Sequence, residues 1–390
     1  MKSNKILIVQ TPAFHRNRGG VQRITFNLGK FFFESGMNVH YYSFEKEGHE
    51  EVQFGVLHHS LENGAAKNNR NIRHLDSVLD CIRADYVVNQ MPYVKPLRDL
   101  LAVRKSNYGF KLIGCIHNSL FNFWSNAREV VIRTIPKPMN RVLSTSPGIM
   151  CIKAFHKLKH ARDLKRIIDK HDRLLLYTPP NHDELKFFIG NYKPDKISYM
   201  PNPVHEITGP DEGKEKVIVH VGRITIAQKR SDLLLDFWEA LYKDLPDWKF
   251  FIVGDGPYFD ELKNDLKKRR IPRVFLEGFQ KPEKYYRQAA LFMMPSAFEG
   301  FPNTIIEAQS YGCPILAFDS YAALRWIVND GKDALLSEPF DTLSLAQKTV
   351  KVVSDVEKLK EMQHAARENI KRFTITQIGQ QWLELFKEIS

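Results

Sequence analysis

Apolar residues fall into short unbroken runs that end in polar residues or glycine, with stretches of helical spacing between them. Ile6-Leu7-Ile8-Val9 predicts a buried strand over 6–10, followed by a loop holding Gly19-Gly20 and an amphipathic helix over about 21–35 that stops at Gly36. A strand near 38–44 completes a βαβ unit. Further strands are predicted at 86–89, 111–116, 173–177 and 197–200, and Pro201-Asn202-Pro203 with the polar run to Gly213 reads as a linker. The pattern then restarts: strands at 216–220, 249–253, 274–276, 291–294 and 315–318 alternate with helices beginning near Ser231, near Tyr258 and after Pro302. This rhythm implies parallel sheets, and its restart implies a second doubly wound domain. The expected class is α/β, with an N-terminal Rossmann-like domain over 1–205 and a C-terminal one over 206–373. Facing one another, they would leave a cleft open to a ligand from each side. The last helix, about 374–390, carries Trp382, Leu383 and Phe386 on one face.

A chain of 390 residues is long for one core and comfortable for two. With 43% hydrophobic and 26% charged residues it is globular in composition, and no apolar run approaches the roughly 20 residues that span a bilayer. The first apolar run is too short for a signal peptide, which places the protein in the cytoplasm. Cys81, Cys115, Cys151 and Cys313 are scattered without metal-ligand spacing and read as reduced thiols, and no metal is expected. The net charge of +12 is uneven, because residues 104–173 hold 15 basic and 4 acidic residues. Within that segment Cys151, Phe155, Leu158, Ala161, Leu164 and Ile168 recur at helical spacing among Lys153, Lys157, Lys159, Arg162, Lys165, Arg166 and Lys170. Two readings stand side by side: a helix packed on its own core, or one that also lies against anionic lipid. Nucleic acid is disfavoured, since no binding motif surrounds Phe121, Phe123 and Trp124.

The densest chemistry is Glu-Gly-Phe-Pro-Asn-Thr-Ile-Ile-Glu, from Glu299 to Glu307. Pro302 suits a first helical position, which puts Glu299 in the loop before the helix and Glu307 in its second turn. The amides of Asn303, Thr304 and Ile305 would then form the positive end of the helix dipole. An anion site beside two carboxylate acceptors suggests a phosphate joined to a polyol, as in a nucleotide-sugar.

The same segment, with Gly300 and Phe301 inside the glutamate pair and Gly312-Cys313-Pro314-Ile315 beyond it, resembles the retaining glycosyltransferases of family 4, which have the GT-B fold. Val221-Gly222-Arg223 with Lys229, Val253-Gly254-Asp255-Gly256-Pro257 and Leu276-Glu277-Gly278-Phe279 are similar to that family's donor-binding strand ends, in the family's order. The resemblance implies that Arg223 and Lys229 hold the donor phosphates and stabilise the leaving group in place of a metal. It implies that Glu307 binds ribose hydroxyls, that Glu299 binds the transferred sugar, and that Gly278-Phe279 lie near the base. It also implies attack from the leaving-group side without a covalent intermediate, and a last helix that returns to the first domain. His117 ends a strand where the family carries a histidine that contacts the donor sugar, although Asn118 here replaces the usual acid. Gly19-Gly20 sit where backbone would approach the donor, but without the G-x-G-x-x-G dinucleotide pattern. A second departure is Ser320-Tyr321-Ala322-Ala323-Leu324-Arg325, where the family usually has a glycine pair and then an acid.

The expectation is a metal-independent, cofactor-free hexosyltransferase. It would move a sugar from a nucleotide-sugar, uridine-linked, to a lipid-linked saccharide in surface polysaccharide or lipopolysaccharide synthesis, at the cytoplasmic membrane face. The alternatives are a nucleotide-sugar epimerase or phosphorylase on the same fold, or a non-catalytic partner subunit.

Overall fold

The computed structural model describes residues 4–14, 19–46, 53–62, 66, 68–205 and 213–390. Most of the predicted linker, 206–212, lies outside these residues. The chain divides into two compact units: Met1–Leu120, Thr134–Pro203 and Ile375–Ser390 form one, and Phe121–Arg133 with Val204–Thr374 form the other. The segment Phe121–Arg133 thus groups with the second unit, although it precedes the boundary expected near residue 205.

In the first unit, strands β1 (Lys5–Gln10), β2 (Asn38–Ser43), β3 (Val56–His59), β4 (Tyr86–Asn89), β5 (Lys111–Cys115), β6 (Arg173–Leu176) and β7 (Ile197–Tyr199) form one sheet. Its order is β3-β2-β1-β4-β5-β6-β7, and every pairing is parallel. Helices cover both faces, which is why β1 and β4 are apolar without alternation. Sequence reading missed β3, Val-Leu-His-His, because an edge strand that is only partly buried needs no apolar run.

The helix Ile375–Ile389 belongs to this unit. It turns Ile378, Trp382 and Phe386 inward, and its Trp382 and Phe386 rings meet Phe32 of the helix Gly19–Glu34 at 5.8 and 5.5 Å. Gly379 lets the two helices approach closely, since a Cβ there would stand 2.3 Å from the Phe31 ring.

The second unit repeats the plan with β8 (Glu215–Val221), β9 (Lys249–Val253), β10 (Val274–Gly278), β11 (Ala289–Met294), β12 (Ile315–Phe318) and β13 (Ala334–Ser337). The order is β10-β9-β8-β11-β12-β13, again all parallel. Trp238 anchors its core: fully buried, it stacks on Phe250 at 5.6 Å while its indole N–H donates to the Pro272 carbonyl at 2.8 Å. Strand order reverses direction between β8 and β11, and open α/β sheets bind ligands beyond the carboxyl ends of the strands at such a point.

The basic segment is only partly packed on its own core, the first of the two readings open for it. It folds as a helix, Ser146–Lys170, capped by the Thr145 hydroxyl, but it buries only Leu164, Ile167 and Ile168. Cys151 is exposed, and Phe155 and Leu158 are 69% and 64% exposed, so half of the apolar stripe faces outward.

Candidate functional site

Three strand ends of the second unit are joined through their backbones. The Gly222 amide donates to the Val253 carbonyl at 3.0 Å, and the Gly254 amide donates to the Gly278 carbonyl at 2.7 Å. Gly254 has φ near +143°, and a Cβ there would stand 1.8 Å from the Gly222 carbonyl oxygen, so only glycine fits. Beyond this seam Arg223 is exposed, and no partner of its side chain is found among the described residues. Phe279, the residue after β10, is 80% exposed.

The loops after β8 and β11 meet at the point where strand order reverses. The Ala297 amide donates to the Gln228 carbonyl at 2.8 Å, and the Gln228 side-chain amide donates to Glu299 Oε2 at 3.1 Å. Lys229 Nζ donates to Glu299 Oε1 at 2.7 Å. Glu299 is 8% exposed, so its carboxylate is held by two donors in a largely dehydrated place. A cation and an anion expected to serve different parts of a ligand are therefore in contact with each other. Sequence reading missed Gln228, whose only signal is its place directly before Lys229.

Behind this pair His220 is buried, with its Nδ1–H donating to the Met293 carbonyl at 3.0 Å and no partner for Nε2 among the described residues. Burial lowers its pKa to about 4, so the ring is neutral at physiological pH. The segment that departs from the family pattern lies alongside, because the Ser320 hydroxyl donates to the Ser296 carbonyl at 2.6 Å. Burial and the Glu299 charge push the neighbouring Tyr321 hydroxyl well above its usual pKa.

Glu307 lies on the helix Asn303–Ser310, where its carboxylate accepts from the Tyr286 hydroxyl at 3.3 Å. Pro302 is the residue before the helix and not its first member, one position earlier than expected. The expected trio of helix-start amides is also reduced, because the Ile305 amide donates to the Pro302 carbonyl at 3.0 Å. In the same loop Gly300 is buried, and Phe301 packs against Phe373 at 5.7 Å, which gives its ring an anchoring role.

The remaining predicted residues belong to the first unit. Gly19 and Gly20 open the helix Gly19–Glu34 and do not form a separate loop before it. His117 lines a pocket with Gln90, Tyr177 and Asn202 over an apolar floor that includes Ile24, Leu175 and Trp382. Its Nε2 pairs with Gln90 Oε1 at 2.5 Å and its Nδ1 with the Tyr177 hydroxyl at 2.7 Å. The amide oxygen only accepts, so Nε2 carries the proton and Nδ1 accepts from Tyr177. Burial lowers the His117 pKa to about 4. Both ring nitrogens are thus engaged within the protein. Among the described residues, no group of three or more His, Cys, Asp or Glu is placed to hold a metal, and no helix is long and apolar enough to cross a membrane.

The family model for glycosyl transferases group 1 matches residues 215–355, from the first residue of β8 to beyond the helix Thr342–Val353. Residues 215–355 belong to glycosyl transferases group 1. This group 1 segment contains Arg223, Lys229, Glu299 and Glu307. An exopolysaccharide phosphotransferase of Streptomyces coelicolor is 27% identical over 270 residues, covering 67% of this chain and 29% of that protein. The GalNAc-alpha-(1->4)-GalNAc-alpha-(1->3)-diNAcBac-PP-undecaprenol alpha-1,4-N-acetyl-D-galactosaminyltransferase of Campylobacter jejuni is 28% identical over 199 residues, 50% of this chain and 55% of that protein. The chain thus spans less than two thirds of either relative. Among solved structures, HepE of Anabaena in complex with UDP and glucose superposes with a TM-score of 0.73 and 16% identity, over 99% of this chain and 100% of that one. The fold is GT-B.

Proposed function

We propose that the chain is a retaining glycosyltransferase of family 4, which moves a hexose from a nucleotide-sugar, uridine-linked, to a lipid-linked saccharide in surface polysaccharide synthesis. The observation that carries this reading is the buried Lys229–Glu299 pair, fixed by Gln228 where strand order reverses in a group 1 segment. In the proposed reaction the donor diphosphate lies against Arg223 and Lys229. As the sugar–phosphate bond breaks, charge grows on the diphosphate, and two fixed cations stabilise that charge more than the ground state. Glu299 accepts from hydroxyls of the sugar and Glu307 from those of the ribose. The departing phosphate takes the proton of the acceptor hydroxyl as it attacks from the same face, so configuration is retained. No metal or organic cofactor is required in this scheme. HepE was crystallised with UDP and glucose, and the Campylobacter relative is named for an undecaprenol-diphosphate-linked acceptor; both support these substrate classes.

The helix Ser146–Lys170 supports a peripheral contact with anionic lipid. Met150, Phe155 and Leu158 are exposed in its first half, and Arg162, Lys165 and Arg166 are exposed in its second. Apolar tips with neighbouring cations match the interface of an anionic leaflet.

The test is turnover. Protein, a panel of UDP-, GDP-, ADP- and dTDP-sugars and a lipid-linked saccharide fraction are incubated with EDTA, and released diphosphate and the anomeric configuration of the product are measured. The expected result is diphosphate release with an α-linked product from an α-linked donor. Inverted product, or sugar isomerised without transfer, would overturn the reading.

A further inference from the structure

Two side-chain oxygens on the segments that meet near Glu299 are buried with no hydrogen-bond partner among the described residues: the hydroxyls of Tyr321 and Ser296. Ser296 is 1% exposed. A buried hydroxyl left unpaired costs about 1–3 kcal/mol relative to a satisfied one, so orphans of this kind are rare in folded proteins and mark places where something else completes them. The Ser320 hydroxyl ties the start of the 320–325 segment to the Ser296 carbonyl at 2.6 Å, so the residue before Tyr321 meets the backbone of Ser296. The Leu324 amide bonds back to the Tyr321 carbonyl at 3.1 Å, which fixes Tyr321 at the head of a short turn. Burial, and to a lesser degree the Glu299 charge, raise the pKa of the Tyr321 phenol.

Donors and acceptors are therefore grouped by type. The Glu299 carboxylate can only accept, and Lys229 and Gln228 already donate to it. Tyr321 and Ser296 each offer an unused O–H donor and an unused acceptor. A hydroxylated ring that donates to Glu299 can accept from the phenol in the same place. This site rests on the donor assignment made above, and it lies in the segment where the chain departs from the family it resembles.

We propose that Tyr321, with Ser296, forms a hydroxyl-binding subsite for the transferred sugar, and that Tyr321 is a specificity-determining residue for the glycosyl part of the donor.

The experiment compares wild type, Tyr321→Phe and Ser296→Ala by calorimetric titration. Each is titrated with UDP, GDP, ADP and dTDP alone, and with UDP-glucose, UDP-galactose, UDP-N-acetylglucosamine, GDP-mannose, ADP-glucose and dTDP-glucose. Because the phenol O–H has no partner to lose, Tyr321→Phe is expected to melt within a degree or two of wild type. It should bind the preferred diphosphate as wild type does, bind the matching nucleotide-sugar about tenfold more weakly, and discriminate less among sugars on the same nucleotide. Ser296→Ala should give a smaller loss in the same direction. Equal affinity of wild type and Tyr321→Phe for every nucleotide-sugar, with diphosphate binding intact, overturns the subsite and leaves the donor assignment standing. A large fall in melting temperature in Tyr321→Phe also overturns it, since the hydroxyl would then have a structural partner. If wild type binds no diphosphate and no nucleotide-sugar, the donor assignment fails and the subsite with it.

Discussion

At the scale of single residues, the contact between Lys229 and Glu299 decides most. Removing a partner from a buried pair leaves a desolvated charge, whereas a neutral isostere keeps shape and one hydrogen bond. Lys229→Ala should therefore destabilise the second unit by about 1–3 kcal/mol, Glu299→Gln should cost less, and the double variant should recover part of the loss in a thermal or urea melt. Glu299→Gln should also retain diphosphate affinity and lose turnover by roughly 10²-fold, as expected when a group that acts on the reacting sugar is neutralised. Wild-type turnover in Glu299→Gln would remove Glu299 from the reaction. The identities of both residues were legible, because glutamates eight apart around a helix start and a lysine past a strand end form a recognisable series. Their pairing was not, since nothing in a linear chain places residue 229 against residue 299; nor was Gln228, which gains meaning only when the two loops meet.

Buried histidines set a pH dependence at the same scale, since burial lowers the pKa of His40, His117, His160, His171 and His220 to about 4. His171 is fully buried, with Nδ1–H donating to the Ile167 carbonyl at 2.7 Å, and burial lowers its pKa to about 4, as it does for His220. Each stays neutral in the fold while the unfolded chain takes up protons below about 6.5. The unfolded state then binds more protons between pH 6.5 and 4, so stability is full above that window and falls as pH falls through it. Melting temperature measured from pH 8 to 4.5 should be level at first and then decline. A decline that is shallower in His171→Gln and His220→Gln proteins assigns their share of it to these residues, the rest falling to His40, His117 and His160.

Among elements, the strands of both sheets were the most legible, because strands buried on both faces need continuous apolar runs. β4, β9 and β12 have the bounds read from the sequence. β3 and β13 were missed as strands: the first is a partly buried edge, and the second is a short Ala-Leu-Leu-Ser segment with little room for a pattern. The helix Ser146–Lys170 shows the opposite failure, since its three- and four-residue spacing identified the helix correctly but not which half of the stripe is covered. The packing of the last helix on the first gives a direct prediction. Trp382→Ala should cost about 3–5 kcal/mol by leaving a cavity beside Phe32 and Phe386, read as a lower denaturant midpoint. Gly254→Ala should be as damaging, because the clash at the strand ends is with backbone and cannot be relieved by a rotamer change.

For the whole molecule, charge and exposed apolar surface make a joint prediction about lipid. The chain carries a net +12, and each Lys or Arg near an anionic surface contributes on the order of 1 kcal/mol, screened within about 8 Å at physiological salt. Replacing Lys159, Arg162, Lys165 and Arg166 with Gln should abolish binding to anionic vesicles at low salt, and Phe155→Ser with Leu158→Ser should weaken what survives at high salt. Both variants should keep diphosphate affinity. Vesicle sedimentation unchanged in the two variants would assign the helix to some other contact.

The central claim is that the group 1 segment holds a nucleotide-sugar through Arg223, Lys229, Glu299 and Glu307. The most direct measurement is calorimetric titration of UDP and UDP-hexoses, in EDTA, into wild type, Arg223→Ala and Glu307→Gln. The account predicts one site per chain in wild type, weakened in both variants, with saturating ligand at 100 times its Kd adding about 2.7 kcal/mol of stability. Wild-type affinity in both variants, or no binding of any nucleoside diphosphate or nucleotide-sugar by wild type, would contradict it.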